Sequence, residues 1–395
     1  MDGNATMAQP LLFTPLSIRS VTLKNRVVVA PMHQYSGVEG FATDWHLVNA
    51  GRYAQGGAGL VIMESTKVAR NGCGTVGDLG LWDDKFIASL ARCAAFIKAH
   101  GAVAAIQLGH SGRKARLARP WEGGRPLAGS EPGVYDWDGW ELVGPSAVPH
   151  TDKSPTPRAL SHNEVRDLVA GWGAAAARAA KAGFDLLEIH GAHGYLVHQF
   201  LSPLANRRTD EYGGSEANRM RFALEIAECV RAAWPADKPL FMRLSCEDDA
   251  GWGPEESVRL ARLLKEKGVD VIDCSSGGTL AQGPMESARA KTYGYQVPYA
   301  DKIRREAGIA TMAVGHIVHA DQAEAILREG RADLVALARE IMNNPSWPMD
   351  AAQKLGADPD FRMVPSPYAY WLAKRAKSGF EGTPSTWTKG LGERS

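Results

Sequence analysis

The sequence predicts a (β/α)8 barrel. Eight short, apolar, β-branched runs recur along the chain, an amphipathic helical segment follows each, and the first run ends in APMHQYS rather than in a Gly-rich dinucleotide turn. The last point argues against the rival α/β architecture, an open doubly wound sheet.

The strand candidates are Val27–Ala30, Gly59–Glu64, Ala102–Leu108, Leu186–His190, Leu240–Leu244, Val271–Ser275, Ala310–Val314 and Leu334–Ala336. They are too short and too apolar to be half-exposed, so they read as parallel strands covered on both faces. Helices fit between them at Asp44–Gln55 and Asp83–His100. The next opens at Ser161, with Glu164 three residues on as a capping box, and runs to Lys181 before Gly183. Ser215–Ala233, Pro254–Lys267, Tyr299–Glu306, Asp321–Arg328 and Asn344–Leu355 complete the series. Leu11–Asn25 alternates like a small hairpin and is expected to plug the bottom of the barrel. Gly109–Ala159 is long and rich in Pro, Gly and Trp; a connection of that size is usually functional, so it reads as a lid or substrate platform.

At 395 residues the chain could hold two or three domains of ~150 residues, but the repeat implies a single barrel over 11–372, with a flexible segment at 1–10 and a tail at 373–395. Lys+Arg is 45 against 44 for Asp+Glu, a net charge of +1, so no global basic field exists to hold nucleic acid or an anionic membrane. No run approaches the ~18 apolar residues of a membrane helix, and the N-terminus lacks the pattern of a secretory signal. Cys73, Cys93, Cys229, Cys246 and Cys274 form no CxxC, which points to reduced thiols and a cytoplasmic protein.

Barrel enzymes build their sites at the C-terminal strand ends. Here those ends carry His33, Gln34 and Tyr35; Glu64 and Ser65; Gln107, then His110, Arg113 and Lys114; His190, His193 and Tyr195; Arg243; Gly315; and Arg339. No carboxylate ends the third, fifth or seventh strand, which weakens glycosidase and aspartate–metal mechanisms. No Lys ends a strand core, which counts against a Schiff-base aldolase. The remaining amide, guanidinium, imidazole and phenol groups donate hydrogen bonds, a set suited to a planar, electron-rich cofactor and a carbonyl to be polarised. His190 and His193 read either as oxyanion donors or as part of a zinc site. Zinc would need a third ligand, and no metal is expected. Gly315 and Arg339, after the seventh and eighth strands and each ahead of a helix, at Asp321 and Asn344, occupy the usual phosphate position of barrels.

The motifs LKNRVVVAPMHQYS, DWHLVNAGRYAQGGAGLVIMEST, IQLGHSGRKA, GFDLLEIHGAHGYLVHQFLSPLANRRTDEYGGSEANR and MRLS resemble the Old Yellow Enzyme family of FMN-dependent ene-reductases, most closely its bacterial xenobiotic-reductase-like class. The resemblance runs from about Leu11 to Trp371. It implies bound FMN, with NADPH or NADH as diffusible reductant, and a ping-pong reduction of enones, nitroalkenes or maleimide-like alkenes. By resemblance, Ala30, Pro31, Met32, His33 and Ser65 adjoin the flavin, and Gln107 and Arg243 hold its pyrimidine edge. Gly315, Ala338 and Arg339 match the phosphate site. His190 and His193 match the donors to the substrate oxygen, Tyr195 the proton donor, and Tyr35 a further substrate contact. Trp371, in PYAYWLAKR, matches an aromatic that enters a neighbouring subunit's site, so a homodimer or higher oligomer is expected.

The class usually has Cys where His33 stands, and many relatives have Gly where Ala338 stands. His33 is therefore expected to alter flavin potential and to narrow the space near Tyr35. A second reading follows: an FMN-binding barrel with weak or different turnover, such as reverse oxidation or demethylation. Multi-domain relatives with that chemistry continue into a cysteine-rich cluster segment, which is not found before Ser395.

Overall fold

The structure, a computed structural model, describes residues 9–248, 250–280 and 292–378. A hairpin comes first: β1 (Leu16–Ile18) pairs antiparallel with β2 (Val21–Leu23). Then come β3 (Val27–Val29), β4 (Leu60–Lys67) and β5 (Val103–Gly109). Two short strands, β6 (Val143–Gly144) and β7 (Arg158–Ala159), pair within the long segment and at its end. The chain continues through β8 (Leu186–Gly191), β9 (Leu240–Ser245), β10 (Val271–Ser275), β11 (Ala310–Ala313) and β12 (Leu334–Leu337). Apart from β1, β2, β6 and β7, these strands form one closed parallel barrel, sealed where β12 meets β3. The predicted eight-stranded barrel is the observed fold.

The helices are α1 (Asp44–Gln55), α2 (Ile87–Ala99), α3 (His162–Lys181), α4 (Leu196–Leu201), α5 (Glu216–Ala233), α6 (Pro254–Glu266), α7 (Val297–Ala307), α8 (Ala320–Arg328), α9 (Arg339–Asn343), α10 (Trp347–Lys354) and α11 (Ser366–Lys377). The capping box is present at α3: the Glu164 N–H donates to Ser161 Oγ, and the Ser161 N–H to Glu164 Oε2. Two helices differ from expectation. Asp83 caps a 3-10 turn over Asp84–Phe86, so α2 proper starts at Ile87. The expected helix over Asn344–Leu355 starts late, as α10 at Trp347, and a separate short helix, α9, precedes it from Arg339. Pro345 has no N–H to continue the first helix, which accounts for the break. α4 was not expected at all; it is a short, fully buried helix capped by Tyr195.

β4 runs on to Lys67, three residues past the expected Glu64, with a register shift between Met63 and Thr66. The premise that no Lys ends a strand core is therefore wrong. Lys67 is fully buried, with Nζ 3.1 Å from Ser65 Oγ and 3.4 Å from Asp78 Oδ2. A polar run such as EST, read on its own, looks like a loop; the bulge keeps it paired.

Period-two alternation divides every barrel strand into an inner and an outer face. Val28, Ile62, Ala105, Leu186, Phe241, Val271, Met312 and Leu334 belong to one inner cluster, against which Leu16, Ile18 and Val21 of the hairpin pack. The hairpin thus closes the N-terminal end of the barrel, as expected. Outer strand residues join Trp172, Phe222 and the apolar helix faces in the larger core. The site is left to the opposite end. Residues 1–8 and 379–395, most of the two expected terminal segments, lie outside the described residues, and α11 continues past residue 372. Among the described residues no helix is long and apolar enough to cross a membrane.

Phe241 is the largest side chain of the inner cluster. Phe241→Ala is expected to cost about 3–5 kcal/mol, the range for deleting a buried ring. Thermal unfolding of the variant beside wild type checks this; a loss below about 1 kcal/mol would mean the barrel interior is not packed as described.

Candidate active site

The same alternation that buries Leu186 and Phe241 turns Glu188, His190, Arg243, Ser245, Asp273 and Ser275 inward, one or two steps nearer the C-terminal mouth. Pairing sets them side by side: Gln107 lies opposite Glu188, His190 opposite Arg243, and Arg243 opposite Asp273. Gln107 Nε2 donates to Glu188 Oε1 at 2.7 Å, and Arg243 Nε stands 3.1 Å from Asp273 Oδ2. All four are buried, yet Arg243 Nε, Glu188 Oε2 and both Asp273 oxygens lack a well-aligned hydrogen-bond partner. Unmet polar groups of this kind are costly in a packed interior; at a barrel mouth they are ready to meet a ligand. Burial and the nearby Asp273 charge push the Glu188 carboxyl up to about 8.

Above this layer lie three rings. His190 meets His193 at 5.1 Å and Tyr195 at 4.9 Å between centroids, both edge-on. The Ala192 N–H donates to His190 Nδ1, so the proton of the neutral ring sits on Nε2. His193 Nε2 is 2.7 Å from Ser275 Oγ, so that nitrogen is already engaged. Burial, reinforced by Arg243 and by neighbouring imidazoles, pushes both histidines well below their ordinary value. Both rings are neutral at pH 7. Burial, then Tyr35 and Asp78, pushes the Tyr195 phenol well above its ordinary value, so it keeps its proton. Two ammonium groups approach its ring, Lys67 Nζ at 5.4 Å and Lys114 Nζ at 5.3 Å from the centroid. The turn that carries these residues needs unusual backbone. His193 has φ +59° and Gly194 φ +70°, and a Cβ on Gly194 would lie 2.0 Å from the Gly278 carbonyl oxygen.

His33 follows β3, stacks on Tyr35 at 5.3 Å and meets Tyr195 edge-on at 6.1 Å. Its Nδ1 lies 3.6 Å from Glu64 Oε2, and neither ring nitrogen has a hydrogen-bond partner. Glu64 is held from behind. The Thr43 N–H donates to His46 Nδ1, which leaves His46 Nε2 to face Glu64 Oε1 at 3.1 Å. Burial alone would raise the Glu64 carboxyl, but His33 and His46 more than offset it and hold it at about 2. An ionised carboxylate therefore stands behind the His33 ring.

A cavity of about 800 Å³ opens between β9–β10 and β11–β12. Its lining includes His193, Arg243, Gly315, His316, Ala338 and Arg339. Arg339 reaches His316 Nε2 at 3.1 Å, and Gly315 holds φ +107°, a backbone shape that Gly adopts without strain. The cavity pairs guanidinium groups with turn backbone at one end and reaches the polar layer at the other, a donor set that suits a planar ring bearing a phosphate. Ala30, Pro31 and Met32 lead from β3 toward the mouth, and Ser65, buried in the β4 bulge, is fixed by Lys67.

The predicted residues on the strand ends thus converge, and Trp371, expected at a neighbouring subunit's site, lies apart from them in its own chain. It is 66% exposed on α11, a helix without a buried residue, and its ring contacts are with Tyr370 and Lys374. Glu188, Asp273 and Lys67 were not singled out from sequence. Counting back by two from His190 and from Ser275 would have found both acids.

Over residues 11–358 the chain matches the NADH:flavin oxidoreductase / NADH oxidase family. It is 45% identical over 353 residues to an NADPH dehydrogenase of Geobacillus sp. (strain WCH70), covering 88% of this chain and 95% of that one. Its fold is similar to morphinone reductase, with a TM-score of 0.72 and 27% identity over 89% of this chain and 91% of that chain. It is also similar to the old yellow enzyme homologue from Zymomonas mobilis, at TM-score 0.70 and 25% identity over 87% of this chain and 93% of that chain. A longer relative in fold, a 2-naphthoyl-CoA reductase, matches at TM-score 0.77 and 26% identity over 89% of this chain, which spans 53% of that chain.

Neutral imidazoles make a direct prediction. The ring proton signals of His190 and His193, assigned by substitution, should stay fixed in NMR spectra between pH 5 and 8. A titration centred near the ordinary ~6.5 would show that burial does not keep them uncharged.

Proposed function

The chain belongs to the NADH:flavin oxidoreductase / NADH oxidase family, and from that premise we propose that it reduces the activated C=C bond of α,β-unsaturated carbonyl or nitro compounds at the expense of NADPH or NADH. It is an oxidoreductase of the NADPH dehydrogenase type with FMN as its cofactor. The observation that carries the substrate reading is the convergence of His190, His193 and Tyr195 on one side of the Gln107–Arg243 layer.

Bound FMN supplies the hydride relay between nicotinamide and alkene. Gln107 and Arg243 would hold its pyrimidine edge, and Gly315, Ala338 and Arg339 its phosphate. The protein's own residues then do three things. His190 offers its Nε2–H to the carbonyl or nitro oxygen, drawing electron density from the β-carbon. Because the ring is neutral, it polarises that oxygen without giving up its proton, as an oxyanion donor does. Tyr195 holds a proton that a developing enolate can take at the α-carbon. Burial raises the phenol and disfavours a free phenolate, so the transfer is favoured only when charge builds on the substrate. His33 and Tyr35 form the wall beside the donor ring and limit the width of what enters.

The test is an anaerobic one. NADPH should bleach the flavin band of the loaded protein, and cyclohexenone should restore it. Tyr195→Phe should slow the second phase by ~10²-fold and leave the first within a factor of about two. Restoration at the wild-type rate would remove Tyr195 from the role, and no restoration by any enone or nitroalkene would refute the substrate class.

A further inference from the structure

Four adjacent barrel strands, β5, β8, β9 and β10, each turn one buried polar side chain into the same interior layer: Gln107, Glu188, Arg243 and Asp273. The layer holds two carboxylic acids and one guanidinium. Asp273 takes the guanidinium at 3.1 Å. Glu188 takes the Gln107 amide N–H at 2.7 Å, and its other oxygen has no partner. With both acids ionised the layer would carry one uncompensated negative charge in a water-poor interior, which is strongly disfavoured. It also lies next to the pocket where the reduced cofactor would add further negative charge.

We propose that Glu188 is a positioning residue that fixes the amide of Gln107 and, in alkaline solution where it is ionised, takes up one proton when the bound cofactor is reduced. The inference rests on the FMN reading above. Glu188 Oε1 accepts Gln107's N–H whether or not its other oxygen carries a proton, so Gln107 would present its carbonyl oxygen to the ring's imide N–H. When NAD(P)H delivers its hydride, two electrons would enter the site, and where Glu188 is still ionised a proton from solvent would add to its unpartnered oxygen. The proton returns to solvent when the electrons pass to the acceptor. The charged and titratable groups facing Glu188 are Arg243 from β9 and Asp273 from β10, with Gln107 beside them from β5 and neutral His190 on its own strand. Burial, then Asp273, raises the carboxyl to about 8, and Arg243 and the Gln107 N–H offset them only in part. The oxidised protein therefore loses the Glu188 proton near that pH, and the reduced protein keeps it to higher pH.

The midpoint potential of FMN-loaded protein, titrated from pH 6 to 10 in wild type and Glu188→Gln, reads this directly. Below about pH 8 the two lines should run parallel. Above it the wild-type line should steepen by one proton per electron pair. That is tenfold per pH unit, or about 30 mV for a two-electron couple. The Glu188→Gln line should stay straight. Lys114, lowered to about 8 by burial and Arg113, is the competing group. A bend that survives in Glu188→Gln would assign the proton to Lys114 and overturn the proposal. Asp273→Asn supplies a second readout should Glu188→Gln fail to fold. Removing the neighbouring negative charge should move the bend to lower pH, and an unmoved bend would overturn the proposal. Wild-type protein that takes up no FMN would overturn both the proposal and the reading beneath it.

Discussion

The buried pair of Arg243 and Asp273 is the constraint around which the upper barrel is arranged. A guanidinium and a carboxylate inside a barrel each cost several kcal/mol in lost hydration. Their attraction offsets this only if strand pairing fixes them in contact. The parallel register of β9 and β10 does so, setting Arg243 opposite Asp273. A one-residue slip of either strand would turn one partner into the outer apolar core and leave the other unpaired. The same register sets His190 opposite Arg243 and brings Ser275 beside His193. Register, charge pairing and the placement of the donor rings are thus one condition.

Burial has opposite consequences for the groups in this site, and that difference makes the chemistry possible. It keeps His190 and His193 uncharged and Tyr195 protonated. Glu64 is equally buried yet ionised, because His33 and His46 face its two oxygens. Glu188 lacks a cation of its own and is raised instead. In each case the available partner, not depth alone, decides the protonation state. The result is a row of neutral donors at the mouth above a layer whose charge can respond to an electron-rich neighbour.

Much of this was legible in the sequence. Fully buried parallel strands are continuous apolar runs, so most of the eight barrel strands were found within a residue or two. The strand-end polar residues followed from the fold, since a barrel gathers them at one face. What stayed hidden had physical causes. Lys67 sits beyond a bulge, where the run EST reads as loop until β4 is seen to pair with β5. Glu188 and Asp273 are embedded in the runs LLEIH and VIDCS, and their partners come from other strands; Gln107 is 81 residues from Glu188. The break between α9 and α10 was available in principle from Pro345. His33 was recognised as a departure from the Old Yellow Enzyme pattern, but the pairing of Glu64 with His46 behind it depends on the packing of α1 against β4.

A crystal structure of the FMN-bound protein tests the central claim most directly, namely that the inner layer of the barrel builds the cofactor site. The flavin's pyrimidine edge should lie within hydrogen-bond reach of Gln107 and Arg243, with the phosphate at Gly315, Ala338 and Arg339. His190 and Tyr195 should face the open side of the ring. A flavin bound elsewhere, or one whose phosphate lies away from Arg339 while no ring meets Gln107 and Arg243, would contradict the account.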